Sequence, residues 1–161
     1  MLIMLKKRTI SADQARMKLA DLCARSEQCE SDLLKKLQRW GISMSDSIGI
    51  IESLKKGRFL DNSRYAGAFA RDKARFSRWG RRKIAMALAA KRIAQADIRE
   101  GLDSIDEEEY LEALHLAATA KARSLDLTQP TDRQKLYAHL ISRGYESPLV
   151  SAEIRKQINY L

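Results

Sequence analysis

The chain is poor in the residues that punctuate turn-rich folds. Two prolines and seven glycines occur among its 161 residues, and no two glycines are adjacent. So few turn formers leave little room for an all-β fold. Isolated glycines also exclude a loop of the kind that cradles phosphates. The composition therefore favours helices and gives no reason to expect a nucleotide site.

Cysteines and long apolar runs are equally scarce. Cys23 and Cys29 have five residues between them, with neither a second Cys pair nor a nearby His, so a zinc site or a disulfide framework is not supported. The opening "MLIMLKKRT" places its apolar run before its basic residues, the reverse of a secretory signal, and no run approaches bilayer length. We expect a cytoplasmic protein without metal or cofactor.

Catalytic motifs are also lacking, since no nucleophile elbow or metal-ligand spacing occurs. His115 and His139 stand beside leucines on predicted helices, where packing or surface roles are expected. The acidic run from Asp103 to Glu112 suits the first turn of a helix, where carboxylates favour the helix dipole. A non-enzymatic protein is predicted.

What the chain does have is helical periodicity. Gly41 and Gly57 stand where the second and third predicted helices should stop, each after a turn that contains cations. The apolar residues recur at intervals of three and four, beginning with Ala15, Leu19, Leu22, Leu33, Leu34, Leu37, Ile48, Ile51 and Leu54. An all-α fold is predicted.

Three segments of the chain also resemble one another. Superposing Gly41, Arg92 and Gly144 gives offsets of 51 and 52 residues. This register aligns Leu33 with Ile84 and Leu136, Leu37 with Leu88 and Leu140, and Ile42 with Ile93 and Tyr145. A further helical stretch precedes each segment, at 13–25, 62–76 and 108–123. We predict three tandem three-helix repeats at 11–60, 61–106 and 107–161; a single all-α bundle is the alternative.

Positive charge is concentrated in the middle of the chain. From Arg64 to Arg92 there are ten Lys or Arg and one acid, Asp72, so this stretch carries the +9 of the whole chain. On a helical wheel the apolar face holds Tyr65, Phe69, Phe76, Ala66 and Ala70. The opposite face holds Arg64, Arg71, Arg75 and Arg78, and Lys73 lies beside the aromatic rings, where it can snorkel.

A second group of cations follows Gly80. Arg81, Arg82 and Lys83 fall in the first turn of the next predicted helix, where each opposes the helix dipole by about 0.3–1 kcal/mol. An anionic partner would offset that cost and also accept the free N–H groups of the helix start. The predicted binding face therefore consists of Arg64, Arg71, Arg75, Arg78, Arg81, Arg82 and Lys83. The alternative to a binding face is a helix face that is only solvated. For Trp79, the alternative to stacking on a base is packing within the protein.

The pattern "GRFLDNSRYAGAFARDKARFSRWGRRKIAMALAAKRI" resembles the RecX family of regulators of the RecA recombinase. Related patterns are "LADLCARSEQCESDLLKKLQRWG" in the first unit and "LISRGY" in the third. Three positions depart from the family pattern. Asn62 replaces a second Asp, Cys29 replaces a capping Ser for which Ser26 or Ser31 would substitute, and Arg92 replaces a helix-ending Gly.

The resemblance implies a non-enzymatic regulator in DNA repair and the SOS response. Its repeats would form an elongated, curved array along the groove of the RecA–single-stranded DNA filament, limiting filament growth and dampening ATPase, strand exchange and coprotease activities. DNA would be contacted directly or through the filament, by a monomer. The main alternative is a stand-alone DNA-binding helical-repeat protein without sequence specificity, and a third is an inert scaffold.

Overall fold

The computed structural model describes residues 10–161, in which all regular structure is helical. The predicted all-α fold is confirmed; the stretch "MLIMLKKRT" lies outside the described residues. The helices are α1 Ala12–Arg25, α2 Glu30–Arg39, α3 Met44–Lys56, α4 Asn62–Arg75, α5 Arg81–Ala90, α6 Gln95–Asp103, α7 Glu107–Ala122, α8 Pro130–Ser142 and α9 Ser147–Asn159. Within residues 10–161, no helix has both the length and the apolar character needed to cross a membrane.

The chain divides into two compact units, and the boundary falls between Tyr65 and Ala66. In the first unit α3 packs against both α1 and α2. Ile48 was predicted to face this core but is 51% exposed, and Ile50 is buried instead. The core of the first unit consists of Ala15, Leu19, Leu33, Leu37, Ile50, Ile51, Leu54 and Leu60.

In the second unit α5 packs on α6, while α7, α8 and α9 pack on one another. Its larger buried side chains are Ile84, Leu88, Tyr110, Leu114, Leu136, Leu140 and Tyr145. Two of the three sets of positions that the repeat register aligns are fully buried: Leu33, Ile84 and Leu136, and Leu37, Leu88 and Leu140. In the third set Tyr145 and Ile93 are buried, but Ile42 is only partly buried. The division into repeats at 11–60, 61–106 and 107–161 stays a prediction.

The helix ends aligned by the repeat register share one backbone geometry. Gly41, Arg92 and Gly144 all have left-handed backbone, with φ of 77°, 59° and 96°. In each case the next residue donates its N–H to the carbonyl five residues earlier, closing the helix end. Arg92 stands where the family pattern has glycine, and it adopts the left-handed conformation that was predicted there, which is strained for a residue with a side chain.

The neighbouring residues Asp61 and Asn62 cap the starts of two different helices, α4 and α2. Asp61 Oδ1 accepts the N–H of Ser63 at 2.9 Å and of Arg64 at 3.1 Å, so Asp61 caps α4 as one of the predicted candidates. Cys29 occupies the N-cap position of α2 and its side chain makes no capping hydrogen bond, as its replacement of Ser predicts. The N–H of Glu30 donates to Asn62 Oδ1 at 3.0 Å, so the cap comes from Asn62 and not from the nearby serines.

Candidate binding surface

Helix α4 carries part of the predicted basic face, but its buried side differs from the prediction. The helix ends at Arg75, so Phe76 and Arg78 lie beyond it, and Phe76 is 74% exposed. Arg78 has a left-handed φ of 51°, which turns the chain after the helix. The predicted burial of Phe76 is therefore wrong, whereas Ala66 and Ala70 are buried as predicted and the rings of Tyr65 and Phe69 are half-buried.

Small residues form the buried side of α4 in its place. The contact between α4 and α6 is close, since a Cβ added at Gly101 would lie 2.9 Å from the carbonyl oxygen of Ala66. Such an approach requires small side chains on both helices, which explains why the aromatic rings of α4 lie at the margin. The buried residues of α4 are Ala66, Gly67, Ala70 and Ala74.

Trp79 is packed among neighbours and is half-buried. Its ring lies edge-on to Phe69, with centroids 6.3 Å apart. The ammonium groups of Lys73 and Lys83 lie 4.7 Å and 4.5 Å from the centroid of the indole. The predicted position of Lys73 beside the aromatic rings is confirmed, and these contacts favour packing over base stacking for Trp79.

Arg71 and Arg75 lie on the exposed side of α4. The Arg71 guanidinium donates to Ser104 Oγ at 2.9 Å, and that of Arg75 lies 5.4 Å from the centroid of the Phe76 ring. Arg75 and Arg78 form one wall of an open groove of about 490 Å³. The rest of the groove is lined by Glu108, Glu109, Glu112, Ala113 and Leu116 of α7.

Arg81 belongs to an internal cluster of charged and aromatic side chains. Its guanidinium donates to Glu146 Oε2 at 2.8 Å and to Glu107, and it stacks on Tyr110 at 3.9 Å from the ring centroid. The Tyr110 hydroxyl donates in turn to Glu146. The cost of a cation in the first turn of α5 is therefore offset within the chain, without an external anion.

The protonation of this cluster follows from its contacts. Burial by itself lowers the pKa of Arg81, but hydrogen bonds to Glu146 and Glu107 outweigh it and hold the pKa above its ordinary value. Burial, followed by the hydrogen bond to Glu146, raises the pKa of Tyr110 well above that of a free tyrosine. Arg81 stays charged and Tyr110 stays neutral at physiological pH.

The N-terminus of α5 is closed to anions, contrary to the expectation from sequence. The N–H of Arg81 donates to the Tyr110 hydroxyl at 3.0 Å, and that of Arg82 donates to the Gly144 carbonyl at 3.0 Å. Gly80 donates to the carbonyl of Arg143 at 2.8 Å. A Cβ on Gly80 would lie 2.1 Å from the carbonyl carbon of Gly144, so two glycines permit this contact.

The predicted binding residues thus have different surroundings. Arg64, in the first unit, donates to Glu27 at 3.0 Å and to the carbonyl of Arg58. In the second unit Arg71, Arg75 and Arg82 are exposed, whereas Arg78, Arg81 and Lys83 are half-buried. The structure therefore separates a group at the α7 groove, Arg75 and Arg78, from Lys83 at the Trp79 ring.

Sequence reasoning missed the partners of Arg81. Glu107 lies 26 residues from Arg81 along the chain and Glu146 lies 65 residues away. The unfavourable first-turn charge showed that a counter-charge was needed, but it did not show which carboxylates supply it. The acidic run was correctly placed, because Asp106 caps α7 and Glu107, Glu108 and Glu109 occupy its first turn.

Short helices with recurring helix ends and a charged surface define an all-α helical-repeat protein. The family models described as the second and third three-helix domains of RecX match residues 61–102 and 107–154. Regulatory protein RecX of Clostridium beijerinckii is 30% identical over 159 residues, which cover 94% of this chain and 73% of the relative. The chain belongs to the RecX family of regulatory proteins.

A further relative and two solved structures also bear the name RecX. Regulatory protein RecX of Clostridium botulinum is 31% identical over 139 residues, which cover 84% of this chain and 65% of the relative's length. The crystal structure of RecX from Lactobacillus salivarius has a TM-score of 0.78 at 16% identity, over 93% of this chain and 97% of that one. A further crystal structure of regulatory protein RecX has a TM-score of 0.77 at 24% identity, over 88% and 71%. These structures share the all-α fold.

Proposed function

We propose that this chain binds the RecA–single-stranded DNA filament and inhibits its growth, ATPase, strand exchange and coprotease activities. Membership of the RecX family is the observation that carries the proposal, because its members are named regulatory proteins and the resemblance in sequence extends over both matched domains. The chain would act by binding and would need no cofactor.

The charge distribution supports the same proposal. A filament of protein and DNA is an anionic partner, and exposed arginines give bidentate contacts with phosphates or carboxylates. We assign the contacts to the members of the basic face that lie outside the Arg81 cluster, because the charge of Arg81 is already neutralised by two glutamates. The assigned residues are Arg64, Arg71, Arg75, Arg78, Arg82 and Lys83. Modest contacts made by successive helical repeats would add up through avidity.

The test is the DNA-dependent ATPase of purified RecA. We expect inhibition at concentrations of this chain that are too low to coat the DNA, because the filament and not bare DNA is the target. The measurement is ATP hydrolysis at a fixed RecA concentration over a range of single-stranded DNA concentrations. Inhibition that requires saturated DNA, or that disappears when DNA is in excess, would refute the filament model.

Charge reversal identifies the contribution of the basic face. Replacing Arg71, Arg75 and Arg78 with Glu should weaken inhibition at least about tenfold, since three favourable contacts become repulsive. The matched control reverses Arg123, Arg155 and Lys156, which are exposed in the same unit and change the net charge equally. Circular dichroism checks that both variants keep their helices. Full inhibition by a correctly folded first variant would remove these arginines from the proposal.

A stand-alone DNA-binding protein is the second candidate, favoured by the net charge of +9. Non-specific binding to phosphates depends steeply on salt, because each neutralised phosphate releases counterions. Such a protein would inhibit RecA by occupying its DNA. The experiment with excess DNA separates this candidate from the filament model.

A further inference from the structure

The groove between the end of α4 and the face of α7 is lined by side chains of both charges. Arg75 and Arg78 stand on one wall, and Glu108, Glu109 and Glu112 stand on the other. Two cations and three carboxylates give this lining a negative balance, although it lies in the most basic stretch of the sequence. A phosphate chain would meet repulsion along the whole α7 wall. The groove is therefore unsuited to DNA.

The floor of the groove is apolar. Ala113 is 6% exposed, and Leu116 is 41% exposed although it is a large apolar side chain. A volume of about 490 Å³ holds a large side chain together with its neighbours on a peptide. An apolar floor between charged walls is typical of an interface centre, where an apolar anchor is buried and charges at the rim set orientation.

A second concavity, of about 220 Å³, continues the groove along the start of α7. The two share Arg75 and Glu109 in their linings, so they adjoin, and together they are called the cleft. The smaller part adds Phe76, which is 74% exposed, and the buried ring of Tyr110. Two adjoining concavities suit two side chains of one polypeptide segment.

We propose that this cleft binds a segment of the protein component of the filament, the RecA subunit, and not its DNA. The segment would carry a large apolar side chain that sits on Leu116, with a carboxylate towards Arg75 and Arg78. A cationic side chain of the same segment would face Glu108 and Glu112. Opposite charges on the two walls fix the direction in which the segment binds. This inference rests on the proposed function and assigns one partner to one surface.

The test compares two leucines on α7. Leu116→Glu places a carboxylate on the floor of the cleft, whereas Leu111→Glu alters a leucine that is 38% exposed on the same helix and outside the cleft lining. We expect Leu116→Glu to raise the concentration needed to inhibit RecA ATPase at least about tenfold, the usual effect of losing a central anchor. Leu111→Glu should stay within about twofold of the unaltered chain. Leu116→Ala, a milder change, should give an intermediate loss if Leu116→Glu disturbs folding.

Binding to DNA is the second readout. A fluorescent oligothymidylate should bind the unaltered chain and all three leucine variants equally. A photoreactive side chain at position 116 should crosslink to RecA when filaments are present, and the same group at position 111 should not. Crosslinking to the oligonucleotide from position 116 would overturn the inference.

The outcomes also separate this inference from the proposed function. An unaltered chain that inhibits RecA, together with equally active Leu116→Glu and Leu116→Ala variants, would refute the cleft and leave the filament model standing. An unaltered chain that does not inhibit RecA would refute both. A selective loss in the Leu116 variants, with DNA binding unchanged, supports both.

Discussion

Tyr110 and Tyr145 are neighbouring buried tyrosines whose hydroxyl groups have opposite surroundings. Their rings lie 5.5 Å apart, and both side chains are almost fully buried. The Tyr110 hydroxyl donates to Glu146 and accepts the N–H of Arg81, whereas that of Tyr145 has no hydrogen-bond partner among residues 10–161. Burial raises the pKa of Tyr145 to about 12. The two hydroxyl groups should therefore contribute differently to the stability of the fold.

We predict that Tyr110→Phe lowers the free energy of unfolding by about 1–3 kcal/mol, because it leaves a half-buried carboxylate and a backbone N–H without this partner. Tyr145→Phe should leave stability unchanged or raise it by up to about 1 kcal/mol, because it removes a buried hydroxyl without breaking a bond within the protein. Urea denaturation followed by circular dichroism measures both. Equal losses from the two substitutions would contradict this account.

At this scale the sequence predicted which residues are charged or apolar, but not which of them meet. Arg81 was predicted to await an external anion, and the fold supplies Glu107 and Glu146 instead. Phe76 was predicted to be buried, but it directly follows the last residue of α4 and is 74% exposed. Contacts between residues far apart in the chain cannot be deduced from helical spacing.

At the scale of the helix, three equivalent helix ends differ in how much room surrounds the left-handed residue. A Cβ at Gly41 would meet nothing within 4 Å, whereas a Cβ at Gly144 would lie 2.5 Å from the backbone N of Lys83. Arg92 carries its side chain in this conformation at an exposed position. A side chain at any of the three positions carries the strain of left-handed backbone, but the steric cost of adding one differs.

We predict an order of effects for substitutions at these ends. Arg92→Gly should stabilise the chain by about 0.5–1 kcal/mol, since the relief of left-handed strain exceeds the added freedom of the unfolded glycine. Gly41→Ala should cost about 1 kcal/mol through strain alone. Gly144→Ala should cost clearly more, because the contact between the start of α5 and the end of α8 must also open. Chemical denaturation of the three variants gives the order, and a Gly144→Ala variant as stable as Gly41→Ala would refute the steric argument.

Most of the helices themselves were predictable. Apolar spacing, helix-ending glycines and the acidic first turn of α7 placed the predicted stretches within a residue or two of α1, α4 and α7. Caps within a few residues, such as Asp61 for α4, followed from local sequence. The cap of α2 did not, because Asn62 lies 32 residues from the N–H that it accepts.

For the molecule as a whole, attraction of an anionic partner depends on where the charges lie as well as on the net charge. The basic stretch accounts for the net charge of +9, yet Arg75 and Arg78 share a groove with three glutamates. Charges that face carboxylates attract an anion less than isolated ones do, because the opposite charges partly cancel at a distance. Arg75 and Arg78 should therefore contribute to DNA binding mainly through the net charge of the chain.

We predict that the two triple charge reversals affect DNA binding alike, because they change net charge equally and Arg71, Arg75 and Arg78 line the cleft that also holds the glutamates of α7. Reversal of Arg71, Arg75 and Arg78, like the matched control reversal, should lower affinity for an oligothymidylate at low salt through the long-range field. The slope of log affinity against log salt should change little in either variant. Fluorescence anisotropy over a salt series measures both, and a slope reduced by about 0.7 for each lost phosphate contact in the first variant alone would show that these arginines bind DNA.

The sequence by itself determined the class of fold, the helices and the repeat register, because these depend on local spacing and on residues a few positions apart. It also concentrated the cations in one stretch and, through the family pattern, indicated the RecX family. Only the tertiary structure decided which cations stay available. It neutralised Arg81, closed the start of α5 with the backbone of Gly144, and placed Arg75 and Arg78 opposite the glutamates of α7. These outcomes depend on how distant helices pack, and helical periodicity carries no information about that packing.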